Sequence, residues 1–141
     1  MLKIVLTGAN GFVGSRILER LTSFDVRIIG RTSIGQVSED NFFEAIIGPD
    51  TDYVNFLKGV DVVIHCAARA HIMDDQSLDP LVEYRKVNTE GTLNLARQAA
   101  KVGIGRFIFI SSIKVNGELT ENGSPFVPQV SEPPKDPYGL S

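Results

Sequence analysis

The sequence of 141 residues contains one cysteine, Cys66. A single thiol cannot build an internal disulfide framework, so the expected setting is a reducing compartment. Long apolar runs are missing too. Met1 and Leu2 are followed at once by Lys3, which leaves no room for a signal stretch, and no span is long enough to cross a bilayer. These absences make the cytoplasm the expected location. Charge of one sign is scarce: the net charge is −3, which gives no basis for nucleic acid or a membrane surface as partner. No cluster of His, Cys and carboxylates has ligand spacing, so no metal is expected. Neither an internal repeat nor a low-complexity tract divides the chain. What remains, 43% hydrophobic and 22% charged residues, fits one globular domain with a core.

The most informative stretch is MLKIVLTGANGFVG at the start. Leu2, Ile4, Val5 and Leu6 predict a buried strand. A turn carrying Gly8, Gly11 and Gly14 follows. A helix then opens with Phe12, Val13, Ile17, Leu18 and Leu21 on apolar positions. A strand, a glycine turn and a helix N-terminus make an anion site: glycines let the backbone approach a pyrophosphate, and the free N–H groups and dipole of the helix meet the charge. The spacing is G-x-x-G-x-x-G rather than the G-x-G-x-x-G dinucleotide fingerprint.

Strand and helix patterns then alternate. Residues 25–30, 42–47, 60–66 and 106–110 predict four more strands. The run VDVVIHC in the fourth is apolar at nearly every position, as in a central parallel strand. A short helix is expected over 51–57. A long one is expected from Pro80 to about Val102, with Leu81, Tyr84, Val87, Gly91, Leu95 and Ala99 facing inward and Gly103 as its stop. This alternation predicts an α/β fold of the Rossmann type: a doubly wound parallel sheet with helices on both faces and strand order 3-2-1-4-5. Residues 118–137, with five prolines, read as a loop. Cys66 reads as a small buried hydrophobe, His65 as a structural histidine at a strand end, and His71 as solvated in a polar loop.

Five motifs in order extend this reading. They are TGANGFVG (7–14), HCAA (65–68), VNTEGTLNL (87–95), SSIKVNG (111–117) and Tyr138. Together they resemble the extended short-chain dehydrogenase/reductase family, within it the nucleotide-sugar epimerases, over nearly the whole chain. The resemblance implies Ser112 and Tyr138 as catalytic residues. Its lysine, four residues after the tyrosine, would be residue 142. The expectation is therefore an N-terminal portion, a cofactor-binding domain without its substrate lobe, in which Tyr138 is an exposed, ordinary phenol.

For the cofactor the resemblance implies Gly8, Asn10, Gly11, Phe12, Val13 and Gly14, with Phe12 open to reading as core. Ala67 and Ala68 are small where a backbone approaches the cofactor, or where packing is tight. Asn88 faces the site, or lies on the helix surface; Ser111 supports the site's backbone. The second strand ends Gly30-Arg31-Thr32-Ser33, without the acid that bonds a ribose 2′-hydroxyl. Arg31, Thr32 and Ser33 suit a 2′-phosphate, so NADP is expected ahead of NAD. Against the pattern that the resemblance implies, Lys114 and Asn116 stand where many epimerases carry a small or hydroxyl residue and a tyrosine, and Gly48-Pro49 stands where the family often has Gly-Asp.

The resemblance implies a nucleotide-sugar 4-epimerase of the UDP-hexose type. In that reaction Tyr138 moves the C4 hydroxyl proton and Ser112 holds the C4 oxygen, through a transient 4-keto sugar. An NADPH-dependent reductase of 4-keto sugars is the alternative. A non-catalytic NADP-binding sensor or scaffold is a third reading, disfavoured by the presence of both Ser112 and Tyr138. A homodimer through the long helix is also implied.

Overall fold

A computed structural model describes residues 1–70, 77–130 and 132–141. Five parallel strands form one sheet in the order β3-β2-β1-β4-β5. They are β1 (Lys3–Thr7), β2 (Asp25–Gly30), β3 (Phe42–Glu44), β4 (Val62–His65) and β5 (Arg106–Phe109). The helices are α1 (Phe12–Arg20), α2 (Val54–Leu57), α3 (Pro80–Arg85), α4 (Thr92–Lys101) and α5 (Pro137–Leu140). The predicted strand order is the observed one.

Alternation along the central strand explains the layers. Val5 faces one core, with Ile29, Val63, Leu57, Leu95 and Ala99. Ile4 and Leu6 face the other, with Leu18, Ile28 and Ile64. So α1 covers one face while α2 and α4 cover the opposite one. Both faces of β1 are buried, which is why its sequence reads as a continuous apolar run.

The two long helical segments are one rod interrupted by a π-helical turn, Lys86–Gly91. Asp79 caps its start: its carboxylate accepts the Val82 N–H at 3.2 Å, and Pro80 fills the first turn. At Gly91 the rod lies so close to the loop after β3 that a Cβ would stand 2.9 Å from Gly48 N. Asn94 Nδ2 donates to the carbonyls of Gly48 and Thr51, each at 2.9 Å. Gln98 Nε2 donates to Thr51 O at 2.8 Å, and its Oε1 accepts the Tyr53 N–H at 2.7 Å. The rod therefore holds the 46–53 loop by satisfying backbone groups that no strand pairs.

Several expectations need correction. The Leu2 side chain is 49% exposed, and the strand starts at Lys3. The third strand ends at Glu44 rather than 47, because Thr51 Oγ1 donates to Ile46 O at 2.7 Å and turns the chain out of the sheet. The short helix begins at Val54, not 51. Phe12 is 88% exposed and is not core. Cys66 is half-buried rather than buried, since it lies just past the end of β4. The loop expected after 118 is borne out: its described residues up to Asp136 carry no helix or strand, only an isolated bridge between Glu121 and Ser124, and Pro137 already opens α5. His71 lies outside the described residues.

Candidate functional site

The carboxyl ends of β1 and β4 create the site. Right after β1 the chain turns at Gly8, with φ of +70°. A Cβ there would stand 2.7 Å from Ala67 N, so the turn excludes side chains on two counts. At Gly14 a Cβ would stand 2.0 Å from Gly8 O, which presses the first turn of α1 directly onto the glycine loop. No side chain caps α1, and no acid stands in its first turn. Its N–H groups and positive dipole end stay available to an anion. The glycine floor and the uncapped helix thus fit the pyrophosphate of a dinucleotide.

Above that floor lies a cleft of about 630 Å³, within the range of roughly 300–1,000 Å³ typical of ligand sites. Gly8, Asn10 and Gly11 form one side, Gly30 and Arg31 a second, and Ala45, Ile46 and Ile47 a third. Cys66, Ala67, Ala68, Arg69, Ala70 and Val87 complete it. Phe12, Val13 and Gly14 are not among its walls: they open α1 behind the turn. Thr32 and Ser33 are not among them either, as the chain leaves the cleft after Arg31.

A second, inner cavity of about 160 Å³ is lined by Asn88, Thr92, Phe109, Ser111, Ser112, Tyr138, Gly139 and Ser141. Ala67 and Ala68 line both spaces, so the two share a wall. Ser112 and Tyr138, 26 positions apart in sequence, meet in this cavity. Ser112 Oγ accepts the Lys114 N–H at 3.2 Å, its only hydrogen bond among the described residues, and has its own proton to donate. Tyr138 is half-buried, not the exposed phenol expected. Asp136 caps α5 by accepting the Gly139 N–H at 2.9 Å, and this turn lays the Tyr138 ring on Tyr84, with centroids 6.2 Å apart. Lys114 pairs with Glu118, which raises the lysine pKa.

Asn88 works through the backbone. Its Oδ1 accepts the Arg69 N–H at 2.7 Å, and its Nδ2 donates to Arg69 O at 3.0 Å. This two-way clamp fixes the chain as it leaves Ala68, while the Arg69 guanidinium lies 5.4 Å above the Tyr84 ring. His65 is fully buried between Thr7 Oγ1, 2.6 Å from its Nδ1, and Thr92 Oγ1, 2.9 Å from its Nε2. Burial lowers its pKa to about 4, so the ring is neutral. It is the satisfied structural histidine expected. Burial pushes the Cys66 thiol up, away from thiolate chemistry. Sequence reasoning missed Thr92 and Arg69. Both lie one helical turn or one residue from residues it named, Asn88 and Ala68. Among the described residues, no cluster of His, Cys, Asp and Glu could hold a metal ion, and no helix is long and apolar enough to cross a membrane.

Residues 4–141 match the NAD dependent epimerase/dehydratase family. The chain belongs to that family. A curated relative, the UDP-glucose 4-epimerase of Vibrio cholerae, is 49% identical over 141 residues, 98% of this chain and 43% of that protein. A short-chain dehydrogenase/reductase superfamily protein from Agrobacterium tumefaciens, solved with bound NAD, superposes with a TM-score of 0.82 at 26% identity. That match covers 98% of this chain and 41% of the solved one. The UDP-N-acetylglucosamine 4-epimerase of Methanobrevibacter ruminantium, in complex with UDP-N-acetylmuramic acid, gives 0.77 at 27% identity, over 98% of this chain and 46% of its own. The chain therefore spans somewhat under half the length of these epimerase/dehydratase relatives. The family's NAD dependence agrees with the glycine floor and uncapped helix.

Proposed function

We propose that the protein is a nucleotide-sugar 4-epimerase of the UDP-hexose type. One observation carries the reading: Ser112 and Tyr138 line one cavity, which shares the Ala67–Ala68 wall with the dinucleotide-sized cleft. The 49% identity to a UDP-glucose 4-epimerase supports the same substrate class. When bound, the nicotinamide cofactor supplies hydride chemistry. The chain's own residues do the rest. Tyr138 takes the proton of the C4 hydroxyl and later returns it, and the Ser112 hydroxyl donates to the C4 oxygen and steadies it as it becomes a carbonyl. A phenol with an ordinary pKa near 10 needs a neighbouring cation to act at neutral pH. The resemblance assigns that cation to a lysine at position 142. Residues 1–141 are, on this reading, the cofactor-binding domain, and the substrate lobe comes from the remaining length that the relatives have.

Arg31 supports the finer choice of NADP over NAD. It lines the cleft at the end of β2, with no acid beside it in the Gly30-Arg31-Thr32-Ser33 sequence to bond a 2′-hydroxyl. The same residue favours a second reading, an NADPH-dependent 4-keto-sugar reductase. A homodimer through the α3–α4 rod is supported by Val82 and Leu93, both apolar and exposed on it. The single unpaired cysteine supports a cytoplasmic setting. Incubating the full-length protein with UDP-glucose and its C4 epimer tests the function. Interconversion without net cofactor consumption is expected. Net NADPH oxidation with a 4-keto sugar would replace the epimerase by the reductase, and no change in either would return the chain to a binding module.

A further inference from the structure

The buried histidine fixes the direction of a hydrogen-bond chain that ends in the inner cavity. Thr7 Oγ1 accepts two backbone N–H groups, from Cys66 at 3.2 Å, which also reaches the Thr7 carbonyl at 3.3 Å, and from Ala67 at 3.1 Å. Both of its lone pairs are then occupied. Thr7 is fully buried, and among the described residues its hydroxyl proton has one remaining acceptor, His65 Nδ1 at 2.6 Å. Turning that proton elsewhere would leave a buried donor unsatisfied. Thr7 therefore donates to Nδ1. A neutral imidazole that accepts at Nδ1 carries its proton on Nε2. His65 Nε2–H then donates to Thr92 Oγ1 at 2.9 Å.

The last group in the chain is left with one task. Thr92 Oγ1 receives a hydrogen bond, makes no other among the described residues, and lines the cavity that Ser112 and Tyr138 share. A threonine in a helix commonly returns its proton to the carbonyl four residues back. Here position 88 begins that span inside the π turn, and the Thr92 hydroxyl makes no such bond. Among the described residues its proton has no acceptor.

We propose that Thr92 is a ligand-binding residue of the inner cavity, its hydroxyl donating to an oxygen acceptor at the reacting end of the bound molecules. The Thr7–His65 pair aims it from behind: these two are positioning residues that never touch ligand. The acceptor is a carbonyl or hydroxyl oxygen, on either the carboxamide of the cofactor or the hexose. The inference rests on the proposed epimerase only for the second of these sources.

Two variants of the full-length protein test it. Thr92→Val keeps the branched shape and removes the donor; Thr92→Ser keeps the donor and removes the methyl group. Affinity for NAD+ is measured first by calorimetry, then affinity for UDP-glucose on the NAD-saturated protein. Thermal midpoints are compared throughout, and Thr92→Ala replaces the valine variant if that one does not fold. Loss of one hydrogen bond predicts roughly a three- to tenfold weakening in one of the two affinities for T92V, with T92S close to wild type. Weakened NAD+ binding puts the acceptor on the cofactor; unchanged NAD+ with weakened UDP-glucose puts it on the sugar. Unchanged affinities in both arms overturn the proposal, as does equal loss in T92V and T92S, which would assign the effect to packing. Failure of the epimerase reading shows separately, as absence of C4 inversion in the wild-type protein.

Discussion

Acidification strikes this molecule at a definite place. His65 is fully buried and has its pKa lowered from 6.5 to about 4 by desolvation. The folded pKa is below the unfolded one, so between these values the unfolded chain binds the proton more readily. Stability is full above pH 6.5 and declines as the pH falls toward 4. Linkage between these pKa values gives a loss of about 2 kcal/mol on going from pH 7.5 to pH 5. That is a sizeable part of a typical total of roughly 5–15 kcal/mol. The structural cause is specific. A protonated ring must donate from Nδ1 to Thr7 Oγ1, which already accepts the Cys66 and Ala67 amides. Urea denaturation across this pH range, on wild type and on His65→Asn, isolates the contribution. The variant starts less stable at pH 7.5, and the gap between the two curves should narrow by about 2 kcal/mol by pH 5. Curves that run parallel would refute the buried neutral imidazole and the proton directions built on it.

Three further outcomes are expected. Gly14→Ala puts a methyl group 2.0 Å from Gly8 O, so the turn must move; overpacking of this kind costs about 1–3 kcal/mol, and thermal melts should fall together with NAD+ affinity. Asn88→Ala removes both hydrogen bonds to the Arg69 backbone, a cost of about 1–3 kcal/mol that should appear as faster hydrogen exchange at the Arg69 amide. Arg31→Ala should remove any preference for NADPH over NADH by roughly tenfold, since a charge-assisted contact to phosphate is lost; equal fluorescence titrations before and after the change would remove Arg31 from that role.

The sheet was legible because its signal is repeated. Each buried strand carries its own apolar run, and the right-handed crossover leaves few orders to choose from. Helix interiors were legible by the spacing of Tyr84, Leu95 and Ala99, all three buried. The π turn was not. KVNTEG has no pattern that separates it from an ordinary helix; the turn coincides with tertiary demands, the Asn88 clamp and the contact of Gly91 with the 48 loop. Phe12 illustrates another limit. Its place in an apolar helical pattern reads as core, yet it is the first residue of α1 and is largely exposed. In the site, Ser112 and Tyr138 could be named from motifs, whereas the burial of Tyr138 against Tyr84 depends on a cap at Asp136 that spacing alone does not aim. Thr92 was invisible for a similar reason. Nothing in GTLNL says that a histidine 27 positions earlier supplies it with a proton.

The central position of β1 sets a timetable for synthesis. Lys3 pairs with Asp25, so one edge of β1 is closed as soon as β2 has left the ribosome. The other edge waits for β4, where Thr7 pairs with His65, 58 residues on. Over that interval the nascent chain carries Ile4, Val5 and Leu6 on a strand with one open side, the kind of edge that recruits foreign strands. A ribosome-bound holdase would be needed most between the emergence of residues 30 and 65, and slowing translation in that window should raise the aggregated fraction more than slowing it later.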